Sequence, residues 1–430
     1  MIKKIGSAAM AAMMFMAIFT GCSDTTSNTH QNTMSDDLMV EHVNGQGVFN
    51  DVVDLSFEKG VDETGYIDFV FNACGSCCEN NDDNVMISPA SILFALEMAG
   101  AGANGNTLDE MSSVLVPGAS NEEALGFAAD YYHELRDDGK DYFTLSNGIF
   151  LNDSKADKFY KDYIEYINMN FDAQTDILPF NDSAVDKINE WVNTNTDGMI
   201  PFIIEQLDDQ DAAVIVNAIT FNGKWEKEYS EDHIRENYTF TNAAGEEETV
   251  TLLTSTEGVY LESDKATGFI KNYDGGKYAL VGILPKDESL NGNEFLSDFT
   301  SEDYKKLLAS AKSTEVAVGI PEFSYDYSNE TFADVLESLG MKDAFTKAAD
   351  FSNMSKEELY ISRVIHKTHI DLNRDGTEAA AATAVVMRVK GVSEDIISYE
   401  VILNRPFAYM IVDTETDTPI FIGSVNYVNE

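Results

Sequence analysis

The chain has 430 residues, 44% hydrophobic and 11% aromatic, enough to bury one large core or two ordinary ones, which excludes disorder as the overall class. Seventy-five acidic residues against 28 basic ones give a formal net charge of −47, so nucleic acid and anionic membrane surfaces would be repelled. A soluble, strongly solvated acidic surface is the plain reading of that excess.

Lys3 and Lys4 precede an apolar run from Ile5 to Phe19 and then Thr20-Gly21-Cys22, the pattern of an export signal and too short for a membrane span. A small residue directly before a cysteine resembles the bacterial lipobox, which implies that Cys22 becomes the lipidated first residue of the mature chain. Residues 1–22 are therefore expected to be a signal and 23–59 a flexible polar tether, rich in Ser, Thr, Asn and Asp at its start. The expected place is extracellular or on the cell surface, with the lipid at Cys22 as the sole membrane contact.

Cys74, Cys77 and Cys78 end a helical-looking segment that starts near Asp62. No thioredoxin-like context accompanies the Cys-x-x-Cys, so incidental thiols or one local disulfide are favoured over redox chemistry. Gly100, Gly102 and Gly105 satisfy G-x-G-x-x-G formally, but they follow a helical run from Ser91 to Ala99 and read as a helix stop and turn, not a dinucleotide site.

Asn121 to Leu135 reads as an amphipathic helix and Tyr142 to Leu151 as a strand. Ala212 to Phe221 is almost continuously apolar with one asparagine, Asn217, typical of a strand buried on both faces, and a buried asparagine demands partners. Val316 to Tyr327 carries Pro321 as an edge or bulge, a helix from Thr331 to Leu339 stops at Gly340, and Leu359 to Asn373 is a long strand. His366 and His369, three apart on that strand, point to opposite faces and cannot chelate one metal together. Asp371-x-Asn373-x-Asp375-Gly376 copies half of a calcium loop, but the twelfth position is Ala382, so no cation site is complete. No nucleophile elbow or phosphate loop is found; neither cofactor nor metal is expected.

Gly376 to Gly391 reads Gly-Thr-Glu-Ala-Ala-Ala-Ala-Thr-Ala-Val-Val-Met-Arg-Val-Lys-Gly. With a period of two, Thr377, Ala379, Ala381, Thr383, Val385, Met387 and Val389 share one face, and the charges Glu378, Arg388 and Lys390 share the other. The run starts as an alanine tract that would ordinarily be helical, and it holds no proline, so it could serve as a strand in a central sheet.

The hinge Gly376-Thr377-Glu378-Ala379-Ala380-Ala381-Ala382-Thr383 resembles that of the reactive-centre loop of serpins, and Arg405-Pro406-Phe407 with Ile420-Phe421-Ile422-Gly423 resembles the family's C-terminal signature. The resemblance covers roughly residues 60 to 430, with the loop at about 374–403, and implies one mixed α/β domain. Its features would be a central five-stranded mixed sheet, two smaller sheets, about nine helices and an exposed loop. It implies a metastable serine protease inhibitor that donates no catalytic group and traps the protease as an acyl-enzyme while the loop inserts as an extra strand. Ser88, Ser91, Asn217 and His366 match a polar cluster under the sheet, and Trp225 matches a tryptophan near where the loop enters.

Counting fourteen positions on from Gly376, as the family does, puts the attacked bond at Lys390-Gly391, suited to a trypsin-like pocket with a buried carboxylate. Three departures leave alternatives open. Arg374 stands where the family has an acidic residue, Gly391 to Leu403 is longer than usual, and Arg388, Val386 or Met387 could be used instead, the last two by an elastase- or subtilisin-like enzyme. A non-inhibitory surface binding protein is the other class. The acidic charge argues against heparin as a partner, and a monomer is expected.

Overall fold

The computed structural model describes residues 11–21, 63–137, 139, 141–377 and 399–429. The first strand, β1 (Ala11–Gly21), is followed by α1 (Glu63–Cys78), β2 (Val85–Ile87), α2 (Pro89–Gly100), α3 (Gly105–Leu115) and α4 (Asn121–Asp137). Next come β3 (Phe143–Asn152), α5 (Lys161–Phe171), β4 (Gln174–Leu178), α6 (Asp182–Asn195), β5 (Asp211–Phe221) and β6 (Gly223–Lys224). They lead to β7 (Ile234–Thr241), β8 (Glu247–Glu262), β9 (Ala266–Asn272), β10 (Tyr278–Pro285), α7 (Gly292–Ser297) and α8 (Ser301–Ala309). The remaining described elements are β11 (Lys312–Pro321), β12 (Phe323–Asn329), α9 (Phe332–Leu339), β13 (Leu359–Leu372), β14 (Gly376–Thr377), β15 (Tyr399–Ile402), β16 (Phe407–Asp413) and β17 (Pro419–Val425).

The architecture is mixed α/β, with nine α-helices among the described residues. The central sheet has the order β12-β13-β1-β5-β3-β4. Five of its strands come from the region expected to form the domain; the sixth, β1, comes from the run expected to be the apolar heart of an export signal. The physical reason is that Ala11 to Gly21 is apolar on both faces and free of proline, which suits a slot between two buried strands. Every residue of β5 is buried, as its apolar run dictates.

The remaining strands form one nine-stranded sheet along β15-β11-β8-β9-β10-β16-β17-β2 with β7 beside β8, plus the small pair β14-β6. The long β8 pairs with β7, β11 and β9, so it fuses what the resemblance implies as two smaller sheets. Pro321 ends β11, and after Glu322 the chain enters β12 in the central sheet, a place where a missing ladder donor is tolerated.

Helix α2 is buried along its whole length beneath the central sheet. Ser88 caps it, accepting from the Ser91 N–H, and Pro89 occupies its first turn, where no donor is needed. Gly100 ends α2 and Gly105, at φ +52°, starts α3, so the glycine pattern is an inter-helix turn.

Glu97 on α2 is completely buried, and neither carboxylate oxygen has a hydrogen-bond partner among the described residues. Burial pushes its pKa up to about 8. The folded chain therefore holds this proton while the unfolded one releases it near 4.5, so stability is full at lower pH and falls as pH rises through about 8. Glu97→Gln is expected to remove a loss of about 1.4 kcal/mol per pH unit across that window. Thermal melts at pH 5 and pH 8 check it: the variant should gain on the parent chain at pH 8 and not at pH 5.

Candidate functional site

At the top of the central sheet β13 ends at Leu372, and the backbone groups of Asn373 and Gly376 exchange hydrogen bonds at 3.2 Å to turn the chain back. Gly376 and Thr377 then pair with Lys224 and Gly223 just beyond the end of β5. Gly376 sits at φ +119°, and a Cβ there would meet the Gly223 carbonyl oxygen at 2.4 Å and the Lys224 Cα at 2.7 Å. Only glycine fits both the left-handed backbone and the close approach.

Trp225 fixes this turn. Its indole N–H donates to the Asn373 carbonyl at 3.0 Å, and its ring stacks on Tyr273 with centroids 4.7 Å apart. The Lys271 ammonium lies 5.0 Å from the Trp225 centroid and 4.6 Å from that of Tyr229, and pairs with Glu257 at 2.9 Å. Lys271 and Glu257 are both buried; desolvation lowers the Lys271 pKa, and the pairing with Glu257 opposes it. On the far side, Arg374 forks onto Glu322 at 2.9 and 3.1 Å, while the Arg374 backbone N–H donates to the same carboxylate at 3.0 Å. The expected departure at Arg374 is thus matched locally by an acidic partner at the start of β12.

Halfway down the sheet one row of paired residues reads Asn147, Asn217, Phe15 and His366 across β3, β5, β1 and β13. The Ser88 N–H donates to His366 Nε2 at 3.2 Å, so Nε2 is the acceptor and Nδ1 carries the proton, which it gives to the Met14 carbonyl at 3.0 Å. Burial holds the His366 pKa down to about 3, against an upward pull from that carbonyl, so the ring is neutral. Ser88 Oγ accepts from the Ser91 N–H and donates to the Ile420 carbonyl, both at 3.2 Å. Ser88, Ser91 and His366 therefore lie together. Asn217 does not join them. Its amide donates to Asn147 Oδ1 at 2.8 Å, and Phe15 separates it from His366.

His366 faces the core whereas His369 meets Asp326 at 2.6 Å on the other face of β13. Cys74, Cys77 and Cys78 are free, buried thiols on α1. Among the described residues no helix is long and apolar enough to cross a membrane. The hinge positions Glu378, Ala379, Ala380, Ala381, Ala382 and Thr383, the bond candidates Val386, Met387, Arg388, Lys390 and Gly391, and Cys22 lie outside the described residues.

The family model for serpins (serine protease inhibitors) matches residues 64–428. The chain belongs to the serpin family. A serpin-like protein of Methanosarcina mazei without an assigned role is 28% identical over 97% of each chain. Intracellular coagulation inhibitor 2 of Tachypleus tridentatus is 29% identical, covering 80% of this chain and 86% of its own. Among solved structures, the thermophilic serpin tengpin in its native state is similar at 34% identity with a TM-score of 0.75, over 86% of this chain and 96% of that one. Serpins in general target serine proteases; in this chain the Trp225 corner lies at the top of the central sheet and the Ser88-His366 contact halfway down it.

Sequence reasoning missed Asn147, Glu322 and Phe15. Asn147 lies inside the recognised strand Tyr142 to Leu151, and a buried asparagine there signals a partner; Glu322 and Phe15 carry no such local signal because their neighbours are distant in sequence. Trp225→Phe keeps the stack but removes the indole donor to Asn373, leaving that carbonyl only the Gly376 N–H, at a cost of about 1 kcal/mol. Hydrogen exchange at Gly376 and Thr377 should quicken in this variant while exchange in α2 stays unchanged.

Proposed function

We propose that this serpin inhibits a trypsin-like protease as a suicide substrate. The observation that carries the reading is the pairing of Gly376 and Thr377 with Lys224 and Gly223, which sets the first hinge residues at the end of the slot between β5 and β13 that β1 fills. The protease serine attacks the Lys390 carbonyl, the Lys390-Gly391 bond breaks, and the Gly391 amine leaves with the C-terminal segment. The acylated strand then zips into the sheet with Thr377, Ala379, Ala381, Thr383, Val385 and Met387 inward, and the tethered protease is dragged away and distorted. Burial of those side chains and completion of ladder hydrogen bonds drive the step. This chain contributes no acid, base or nucleophile to it.

The C-terminal peptide released by trypsin from the chain lacking residues 1–22 is expected to begin at Gly391, alongside a complex that survives boiling in detergent. A peptide beginning after Val386, Met387 or Arg388 would move the bond, and clean cleavage without complex by trypsin, elastase and subtilisin would favour a non-inhibitory binding role. Ala381→Arg buries an unpaired charge in the inserting strand and should convert inhibitor to substrate, lowering complex yield by about tenfold or more.

The reading includes export, with a lipid on Cys22 and the polar stretch 23–59 as tether to the domain of residues 60–430. The Lys3-Lys4 start, the apolar run and Gly21-Cys22 support it. Metabolic labelling with a radioactive fatty acid should mark the parent chain and leave Cys22→Ser unmarked. The protein would act as a monomer without heparin or any other cofactor.

A further inference from the structure

Strand β1 is hydrogen-bonded along both edges of the gap. Ala11 to Phe19 pair with Phe221 to Ala213 on β5, and Ala12 to Gly21 pair with His369 to Leu359 on β13. Its two faces are both packed. Phe15, Ala17 and Phe19 enter the main core, where Phe15 meets Phe332 edge-on at 5.7 Å and Phe19 meets Phe351 edge-on at 5.0 Å. Met14, Met16 and Ile18 enter the smaller core that includes Val185, Ile188 and Val192 of α6. The polar atoms are matched as well: Ser362 Oγ donates to the Ile18 carbonyl at 3.1 Å, Thr20 Oγ1 donates to Asp211 at 2.8 Å, and His366 donates to the Met14 carbonyl.

The hinge uses the same edge. Gly376 and Thr377 pair with Lys224 and Gly223, and Ala11 pairs with Phe221, two positions further along in the same antiparallel sense. Carried on at the hinge's own register, Ala379 falls opposite Phe221, where Ala11 now pairs. Thr383, Val385 and Met387 fall on the positions of Phe15, Ala17 and Phe19. The face the loop would bury is the face on which β1 places Phe15 and Phe19. One gap offers one set of ladder donors and acceptors, so the two segments exclude each other.

We propose that the N-terminal strand is an internal plug of this sheet, which keeps a chain that retains residues 11–21 in a substrate-like, non-trapping state until the segment is removed. The inference rests on the loop-insertion reading above. Strand β1 ends at Gly21. Hydrolysis of the Gly21-Cys22 bond, with water giving its hydroxyl to the Gly21 carbonyl and a proton to the Cys22 amine, excises the whole strand. The cut that would expose Cys22 therefore also clears the gap. Released from the Met14 carbonyl, the His366 Nδ1–H would face the empty gap and be ready for a carbonyl of the incoming loop.

The test compares residues 1–430, residues 22–430, and the full-length chain with Phe15→Asp and Phe19→Asp, all carrying Cys22→Ser. The last keeps the segment but drives it out of the core, and so guards against a truncated chain that fails to fold. Trypsin is suitable because Ala11 to Gly21 contains no lysine or arginine. Thermal midpoints before and after loop cleavage are read together with detergent-stable complex. The two plug-free chains are expected to gain stability on loop cleavage and to form complex, while the full-length chain is cut with no gain and with complex lower by about tenfold or more. A full-length chain that gains as much as the others overturns the plug. A gain confined to the plug-free chains, with complex in none, supports the plug and overturns protease trapping. No gain in any chain overturns loop insertion and the plug with it.

Discussion

Two buried strands that run in the same direction with a gap between them impose the constraint on which this structure depends. Each edge of β5 and β13 carries backbone donors and acceptors that cannot be left dry and unpaired, and a parallel approach of the two would need a different register and remove the volume of a whole strand. A third strand antiparallel to both satisfies every group at once. Here β1 does so, and the row Asn147, Asn217, Phe15, His366 shows how completely the filling strand is integrated. Burial beneath the filled sheet keeps His366 neutral, and its tautomer follows from the same arrangement, since one ring nitrogen accepts from the Ser88 amide of the α2 cap and the other donates to the Met14 carbonyl of β1.

The upper end of the gap is built differently. There the chain must leave β13, reverse within four residues and re-enter the sheet, which requires Gly376 and a rigid neighbour for the turn. Trp225 supplies the neighbour, and the buried Lys271-Glu257 pair beside its ring holds the corner by charge as well as by stacking. Such a pair is a specific rather than a strong contributor, because desolvation offsets most of its attraction. The Arg374-Glu322 fork ties the turn to the start of β12 on the partly exposed side. The upper end of the slot is thus framed by fixed groups on both sides, while its length is filled by β1.

Ala11 to Gly21 illustrates a general ambiguity of apolar sequence. An export signal needs a short hydrophobic stretch with small residues near its end, and a central strand needs apolar side chains on both faces without proline. Alanine, methionine, isoleucine and phenylalanine meet both demands, so local composition has no means of separating them. The fate of the segment depends on timing and on the presence of a vacant edge elsewhere in the chain.

The sequence by itself determined the family, the mixed α/β class and several elements of the domain. The fully apolar run of β5, the Ser88-Pro89 start of α2, the glycine turn after it and Gly340 ending α9 each carry their structural meaning in a few adjacent residues, because helix caps, turns and strand faces are local physics. Only the tertiary structure decided which residues meet across the sheet. It separated Asn217 from His366, paired Asn217 with Asn147, gave Arg374 its partner in Glu322, fused the smaller sheets through β8, and assigned the central gap to β1. Each of these depends on strand register and on competition for one pair of edges, and register is set by contacts between segments up to hundreds of residues apart.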